Sequence, residues 1–198
     1  MFGEIERVIK DDGAILLFGT GAFFCELISA RPKLFRYDLV WDKVRPVGYL
    51  NVNRMPMRRH EMIAVFYKKL PFFRYGSREP KESNACTAVY LTANRGKRST
   101  LRDRNAPVSL LRFPKPNVTS SEYANHPTQK PISLLAHLIK WYTRPGETVL
   151  DFTAGSGSTG VSAISCGRKF IGIEKEKQFY DTMRRRLESP IQRGLFNG

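Results

Sequence analysis

A glycine-rich segment near the end of the chain has the spacing of a nucleotide-binding turn. Gly155, Gly157 and Gly160 form a GxGxxG pattern between an apolar run, residues 148–152, and a helical pattern. Glycine lets the backbone approach a ligand closely, and the first turn of a helix offers unpaired N–H groups. Glu174 ends the next apolar run, near the position of an acid that accepts ribose hydroxyls. Together these features predict a site for a cofactor that contains adenosine.

Asp151 distinguishes between two classes of adenosine cofactor. It ends the apolar run four residues before the first glycine. A carboxylate at this point would repel the pyrophosphate of a nicotinamide dinucleotide, whereas it would attract the ammonium and sulfonium groups of S-adenosylmethionine. The sequence therefore favours S-adenosylmethionine and argues against a nicotinamide oxidoreductase.

The positive charge of the chain is concentrated in its middle. The 198 residues include 33 Lys and Arg against 18 Asp and Glu, and residues 31–120 contain 20 of the basic and 6 of the acidic side chains. Solubility does not require this asymmetry, whereas binding to a polyanion would explain it. We therefore expect nucleic acid to be a partner. The side chains expected to contact it are Arg54, Arg58, Arg59, Arg95, Lys97, Arg98, Arg102 and Arg104.

Several other classes of protein fit the sequence poorly. No apolar run approaches the roughly 18 residues of a membrane-spanning helix, and acidic residues near Met1 argue against a signal peptide. Cys25, Cys86 and Cys166 are far apart and form no CxxC pair, so neither a zinc site nor a disulfide framework is expected. We expect no metal, and a reducing cytoplasm is the location that the cysteines favour.

Apolar periodicity predicts strands that alternate with helices, which indicates a doubly wound α/β sheet. Residues 14–18 form a continuous apolar run of the kind that is buried on both faces of a parallel sheet. The other expected strands are 37–41, 61–67, 148–152 and 170–173. The expected helices are 2–10, 22–30, one that follows Pro131, one that reaches about Cys166 and one that ends near Leu187. The stretch from residue 45 to residue 60 is expected to be a basic loop, and residues 71–125 a loop-rich insert.

Two motifs resemble a known family. Residues 151–160, DFTAGSGSTG, resemble the cofactor loop of amino-group DNA methyltransferases, which is usually DPFAGSGTTG. Residues 126–131, HPTQKP, match a second signature of that family. The catalytic half precedes the cofactor half in this order of motifs, as in the beta class. Residues 4–18 and 59–66 resemble the connecting segments of the catalytic half.

The resemblance implies an S-adenosylmethionine-dependent methyltransferase fold, Rossmann-like and doubly wound, with an incomplete sheet and a basic loop-rich insert. It implies three regions: residues 1–70 from the catalytic half, 71–125 as a DNA-recognition insert and 126–198 as the cofactor-binding half. Thr128 and Lys130 are expected to hold the carboxylate of the cofactor. The full set of cofactor-binding residues that it implies is Asp151, Phe152, Ala154, Gly155, Gly157, Thr159, Glu174, His126, Thr128 and Lys130.

The function that the resemblance implies is methyl transfer to an exocyclic amino group in double-stranded DNA, in a restriction-modification context. Adenine N6 is the expected target, and cytosine N4 is the alternative. The family also uses a catalytic tetrapeptide, [DNS]-P-P-[YFW], and the chain contains no Pro-Pro dipeptide. No catalytic residue can therefore be assigned, and two central strands of the sheet are expected to be missing.

The missing tetrapeptide leaves three interpretations open. The sequence is a fragment of a longer enzyme, or it is completed by an upstream complementing chain, or it is an inactive DNA-binding remnant. All three interpretations include the cofactor loop and the basic segment. The interpretations differ in the activity that is expected of this chain.

Overall fold

The structure is a computed structural model that describes residues 1–74, 107–124, 126 and 128–188. Its helices are α1 (Phe2–Val8), α2 (Gly21–Ala30), α3 (Ile132–Tyr142), α4 (Ser158–Ser165) and α5 (Lys177–Glu188). Its strands are β1 (Ile15–Gly19), β2 (Phe35–Val47), β3 (Arg58–Phe66), β4 (Leu110–Arg112), β5 (Thr148–Asp151) and β6 (Lys169–Gly172). Strands and helices alternate along the chain except in the succession β2, β3 and β4, which confirms the α/β class.

Four strands form a mixed sheet in the order β1-β3-β2-β4. Both β1 and β2 pair antiparallel with β3, whereas β4 pairs parallel with β2. The prediction that residues 14–18 lie inside a parallel sheet was therefore wrong, because β1 is an edge strand with an antiparallel neighbour. Its ends, Ile15 and Gly19, are buried, and the three residues between them are half-buried.

A second sheet contains the other two strands. β5 and β6 pair in parallel, with Thr148 opposite Lys169 and Asp151 opposite Gly172. Within the described ranges no strand hydrogen bonds connect this pair to the four-stranded sheet, in keeping with the incomplete sheet that the sequence predicts.

The main core lies between the four-stranded sheet and α3. Trp41 and Ile63 of the sheet pack with Leu134 of α3, and all three are almost completely buried. The Tyr37 and Tyr142 hydroxyls form a hydrogen bond of 2.8 Å that joins β2 to α3. Because α3 directly follows residues 126–131, this packing fixes the position of that segment against the sheet.

The segment from residue 45 to residue 60 contains more regular structure than the sequence predicts. β2 continues to Val47 and β3 already begins at Arg58, with a short 3-10 turn at Tyr49–Asn51 between them. The extension of β2 includes an irregularity at Val44, which has a φ of 66°. The Asp42 carboxylate accepts a hydrogen bond of 2.8 Å from the Val44 N–H, and this contact supports a backbone conformation that is unfavourable for a β-branched residue.

One short strand lies in the region predicted to be loop-rich. Residues Leu110–Arg112 pair with residues 40–42 of β2, and Leu111 is buried in the main core. Three residues carry too little periodicity to predict a strand. The division into regions at residues 70 and 125 stays a prediction.

Candidate cofactor loop and nucleic-acid interface

The glycine-rich loop follows β5 and is held by its own backbone and by the neighbouring strand. The Asp151 carboxylate accepts a hydrogen bond of 3.0 Å from the Thr153 N–H. The Ala154 N–H donates to the Ile173 carbonyl at 2.9 Å, and the Gly157 N–H donates to the Ala154 carbonyl at 2.8 Å. The loop is thus tied to β6 before α4 begins at Ser158.

Glu174 lies beside the loop, as the sequence predicts. One carboxylate oxygen, Oε2, accepts a hydrogen bond of 2.7 Å from the Gly155 N–H, and Oε1 accepts one of 2.9 Å from the Glu176 N–H. The Glu176 N–H is the largest cause of a lowered pKa at Glu174, and the Gly155 N–H adds to it. The carboxylate is therefore charged at neutral pH, and each oxygen keeps a lone pair that a ribose hydroxyl could use.

At two positions of the loop, the backbone angle and the neighbouring side chains favour glycine over any other residue. Gly155 has a φ of +52°, and a Cβ there would lie 2.9 Å from Nε2 of His126. Gly157 has a φ of +79°, and a Cβ there would lie 2.6 Å from Cγ of Met183 in α5. Side chains on both sides therefore pack directly on the loop backbone.

His126, the first residue of the HPTQKP segment, packs on the loop. Its ring makes an edge-to-face contact with Phe179, with the centroids 4.3 Å apart, and its Nδ1 lies 3.4 Å from the Thr128 hydroxyl. Burial lowers the pKa of His126, with a further lowering by the Lys130 ammonium, whereas Glu174 opposes the change. The ring is thus neutral at pH 7 and lies next to both Gly155 and Thr128.

Three side chains that the sequence analysis did not single out hold this region together. Glu122 accepts a hydrogen bond of 2.8 Å from the Ile132 N–H, at the first residue of α3. The buried Gln129 amide donates to the Glu122 carbonyl at 2.6 Å. Arg186 of α5 donates to the Ser156 carbonyl at 2.7 Å and to the Glu122 carbonyl at 3.2 Å. Gln129 stands in the HPTQKP motif, but no sequence signal sets Arg186 apart from the two arginines before it.

The remaining predicted cofactor residues occupy different surroundings. Ala154 is buried, and Thr159 lies in the first turn of α4. Phe152 packs against a second apolar cluster that contains Phe2 and Ile5 of α1. Its side chain therefore contributes to the core beside the loop, and its contact with a cofactor stays a prediction.

Lys130 lies beside charged side chains of β2 and β3, and we call this group the lysine cluster: Lys43, Glu61 and Lys130. The Lys130 ammonium lies 3.0 Å from Oε1 of Glu61, and the Lys43 ammonium lies 3.1 Å from Oε2. The predicted contact of Lys130 with a cofactor carboxylate stays a prediction, because Glu61 is the carboxylate that the structure places beside it.

The structure describes three of the eight side chains predicted to contact nucleic acid. Arg54, Arg58 and Arg59 are all exposed. Arg58 donates to the Thr20 hydroxyl at 3.1 Å, and Arg59 forms a bidentate pair with Asp42 at 2.8 and 3.1 Å. The predicted residues outside the described ranges are Arg95, Lys97, Arg98, Arg102 and Arg104.

Asp42 balances part of this positive charge. The Arg59 guanidinium, followed by the Val44 N–H, lowers the pKa of Asp42 to about 2, and Arg112 lies 3.4 Å from the same carboxylate. Asp42 is therefore charged over the whole neutral range. Arg59 remains about half exposed despite the pair, so one side of its guanidinium faces solvent.

The described residues contain neither a candidate metal site nor a candidate membrane-spanning helix. No group of three or more His, Cys, Asp or Glu side chains could hold a metal ion in this part of the chain. None of the helices α1 to α5 is long and apolar enough to cross a membrane. Cys25 and Cys166 are free thiols.

Comparisons with known proteins identify one family. The family model described as DNA methylase (N6_N4_Mtase) matches residues 1–185. The DNA adenine methyltransferase YhdJ of Escherichia coli is 45% identical over 85 residues, which cover 43% of this chain and 29% of that protein. The type II methyltransferase M.HinfI of Haemophilus influenzae is 27% identical over 188 residues, 93% of this chain and 48% of that protein.

The solved structures agree on the fold. The crystal structure of an M1.HpyAVI–SAM complex matches with a TM-score of 0.68 at 23% identity and covers 93% of this chain and 78% of that chain. The predicted methyltransferase fold is therefore confirmed. The matched part spans less than half the length of each of these curated relatives.

Proposed function

The chain belongs to the DNA methylase family, and on this premise we propose that it forms the cofactor-binding and DNA-contacting part of an S-adenosylmethionine-dependent methyltransferase. The observation that carries the proposal is the Glu174 carboxylate, which is held against the glycine-rich loop by the Gly155 N–H at 2.7 Å. The proposed substrate is the exocyclic amino group of adenine in double-stranded DNA.

Glu174 and the loop fit the cofactor. A carboxylate that is fixed by two backbone N–H groups and keeps free lone pairs can accept both hydroxyls of a ribose. Asp151, Gly155, Gly157 and His126 would complete the wall around it. We include Phe152, Ala154, Thr159, Thr128 and Lys130 in the proposed site on the strength of the two motifs. When bound, S-adenosylmethionine supplies a methyl group on a sulfonium centre, which an amino nitrogen can attack directly.

The proposed role of the basic segment is to hold DNA while the target base is flipped out of the duplex. Arg54, Arg58 and Arg59 are exposed, and exposed guanidinium groups can pair with phosphates. We propose the same role for Arg95, Lys97, Arg98, Arg102 and Arg104. Phosphate contacts make affinity depend steeply on salt, with a slope of about −0.9 for each phosphate neutralised.

The chain lacks the tetrapeptide that the family uses to accept hydrogen bonds from the target amino group. The chain contains no Pro-Pro dipeptide and so no [DNS]-P-P-[YFW] tetrapeptide. We propose that methyl transfer needs such a segment in addition to residues 1–198, within a longer polypeptide or on a complementing chain. Cytosine N4 is the alternative target, because the name of the family covers both amino positions.

Incorporation of labelled methyl from S-adenosylmethionine into mixed-sequence DNA tests the proposal. We expect residues 1–198 alone to transfer none, and a polypeptide extended by an upstream segment that ends in a DPPY-type tetrapeptide to transfer methyl groups. Hydrolysis of the product and analysis of the bases distinguishes N6-methyladenine from N4-methylcytosine. Robust transfer by residues 1–198 alone would show that the catalytic groups lie within this chain.

A DNA-binding remnant without activity is the second candidate, and the absence of the tetrapeptide favours it. Calorimetry with S-adenosylmethionine separates the two. Under the main proposal the chain binds the cofactor, and changes in the loop weaken the binding. A chain that binds DNA in a salt-dependent manner but binds no cofactor would be such a remnant.

A location in the cytoplasm and a role in restriction-modification are also part of the proposal. The free thiols of Cys25 and Cys166 support a reducing compartment. Fractionation of the source cells and a test of resistance to restriction enzymes would check the two points.

A further inference from the structure

The connection between β2 and β3 presents apolar side chains to solvent. We call this connection, residues 48–57, the hairpin tip; the structure describes all of it, and none of its residues is buried. Tyr49 and Leu50 are 73% and 96% exposed, and Val52 and Met55 are each about half exposed. Turns at a protein surface are usually polar. A group of exposed apolar side chains in one turn therefore indicates a contact surface.

The hairpin tip is ordered by its own backbone, without a core beneath it. The Asn51 N–H donates to the Gly48 carbonyl at 3.0 Å. The Asn51 carbonyl accepts hydrogen bonds from the N–H groups of Arg54 and Met55, at 2.9 and 3.0 Å. Leu50 is thus presented by consecutive hydrogen-bonded turns, so that little conformational entropy is lost when a partner covers it.

The charge of the hairpin fits a polyanion. Between Asp42 and Glu61 the sequence contains no acidic residue, and the basic residues there are Lys43, Arg45, Arg54, Arg58 and Arg59. The two acids pair with Arg59 and Lys43. Arg45 and Arg54 are exposed and form no ion pair within the described part of the chain. An apolar tip with unpaired cations beside it suits the base stack of a nucleic acid, which has phosphates on both sides.

The base of the hairpin adjoins the segment that packs on the cofactor loop. Glu61 of β3 contacts the Lys130 ammonium at 3.0 Å, and Lys130 belongs to residues 126–131. Arg58, the first residue of β3, donates at 3.1 Å to the hydroxyl of Thr20, which directly follows β1. The hairpin tip therefore extends from the part of the sheet next to the loop, where a duplex that is to be methylated must lie.

We propose that Leu50, together with Tyr49, is an apolar wedge that enters the base stack of double-stranded DNA while arginines of the hairpin bind phosphates. The inference rests on the proposed function for the identity of its ligand. Proteins that kink DNA insert Leu, Met, Phe, Ile or Pro side chains between base steps in this way. A base that is flipped out leaves a gap in the stack, and a wedge in that gap hinders the return of the base.

Binding to a duplex with one base missing tests the wedge. An abasic site removes part of the free energy that unstacking costs, so we expect the full chain to bind a mixed-sequence duplex with one abasic site about tenfold more tightly than the intact duplex. Leu50→Ser should abolish this preference. Fluorescence anisotropy of the labelled duplexes measures both affinities.

Leu70→Ser is the matched control for Leu50→Ser. Leu70 is also largely exposed, at 72%, and it follows the end of β3 that lies away from the hairpin tip. We expect Leu70→Ser to keep the full preference for the abasic duplex. Both substitutions alter exposed side chains, so urea unfolding should show wild-type stability for each.

The dependence of binding on salt separates the wedge from the phosphate contacts. Arg54→Met should lower the salt slope by about one and keep the preference for the abasic duplex, because it removes a charge and leaves the wedge. Leu50→Ser should do the opposite, since it removes no charge. A lowered salt slope in Leu50→Ser would mean that Leu50 only maintains the shape of the hairpin, which would overturn the proposal.

Two further outcomes would overturn the wedge and leave the proposed function in place. One is equal affinity of the wild-type chain for the abasic and the intact duplex. The other is a dimer in sedimentation experiments that Leu50→Ser dissociates while the preference for the abasic duplex persists, because the tip would then contact a second copy of the chain. A chain that shows the preference but binds no S-adenosylmethionine would count against the proposed function alone.

Discussion

The cofactor loop and the lysine cluster are neighbouring polar regions that are stabilised in different ways. In the loop, the carboxylates of Asp151 and Glu174 accept hydrogen bonds from backbone N–H groups. In the cluster, Glu61 contacts the side-chain ammonium groups of Lys43 and Lys130. Backbone donors are fixed by the fold and carry little net charge, whereas the attraction between ionised side chains depends on pH and, where the side chains are exposed, on salt. We therefore expect the loop to respond mainly to changes in shape, and the ion pairs of β2 and β3 to changes in solution conditions.

The largest expected effect is a change of shape in the loop, Gly157→Ala. A Cβ at Gly157 would lie 2.6 Å from the Met183 side chain, and the φ of +79° is unfavourable for alanine. Strain of about 1–2 kcal/mol and overpacking of about 1–3 kcal/mol should together lower the free energy of unfolding by about 2–5 kcal/mol. Urea unfolding measures the effect.

Gly167→Ala is the matched control for that substitution. Gly167 has a similar φ of +72°, but a Cβ there would meet nothing within 4 Å. We expect this variant to lose only the strain, about 1–2 kcal/mol. Equal losses in the two variants would show that Met183 moves away without cost and that the loop is less rigid than its contacts indicate.

The second effect concerns ligand binding at the loop. Glu174→Ala should weaken binding of S-adenosylmethionine by about 1–3 kcal/mol, roughly fivefold to 150-fold, because charge-assisted hydrogen bonds to the ribose are lost. Isothermal titration calorimetry gives the affinity. Glu176→Ala is the control, since Glu176 is exposed and its N–H, which donates to Glu174, is retained. An affinity unchanged by Glu174→Ala would remove Glu174 from the proposed site.

The smallest effect concerns the ion pair of Asp42 with Arg59, next to Lys43 of the lysine cluster in sequence, and it depends on pH. Arg59 lowers the pKa of Asp42 to about 2 in the folded protein, below the ordinary value of about 4. The pair therefore stabilises the fold fully above that ordinary value, and the contribution is lost as the pH falls from about 4 to about 2. Arg59→Met should raise the pKa of Asp42 only part of the way, because Arg112 also contacts that carboxylate.

Urea unfolding of the wild type and of Arg59→Met at pH 6 and pH 3 measures this contribution. We expect the difference between the two proteins to be larger at pH 6 and to shrink with added salt. Arg54→Met serves as the control, since Arg54 is also exposed. A difference that is the same at both pH values would mean that the ionised pair contributes nothing and that Arg59 acts through packing.

The sequence predicts the loop better than it predicts the lysine cluster, and the reason is geometrical. Gly155, Gly157 and Glu174 belong to one strand–turn–helix unit and the strand after it, so their spacing already determines their proximity. Lys43 and Glu61 meet because Trp41 lies opposite Glu61 in the pairing of β2 with β3. Such a register depends on the turn and on the whole sheet, and local periodicity does not determine it.

The same argument explains the elements that sequence analysis missed. The short strand Leu110–Arg112 is stabilised by its pairing with β2 and by the burial of Leu111, neither of which is visible in three residues. The contact of Arg186 with Glu122 joins residues that are 64 positions apart. Helices with a clear apolar stripe, such as Ile132–Tyr142, were predicted correctly because their pattern is local.

Arg186 has a thermodynamic consequence, because one guanidinium holds both the loop, through Ser156, and the segment before α3, through Glu122. Any ligand that shifts the Glu122 carbonyl changes the free energy of holding Ser156, and the reverse is equally true. Linkage requires such a coupling to be reciprocal: the factor by which one ligand changes the affinity of the other is the same in both directions. A single arginine thus provides a physical connection through which a ligand at either segment would change the affinity of a ligand at the other.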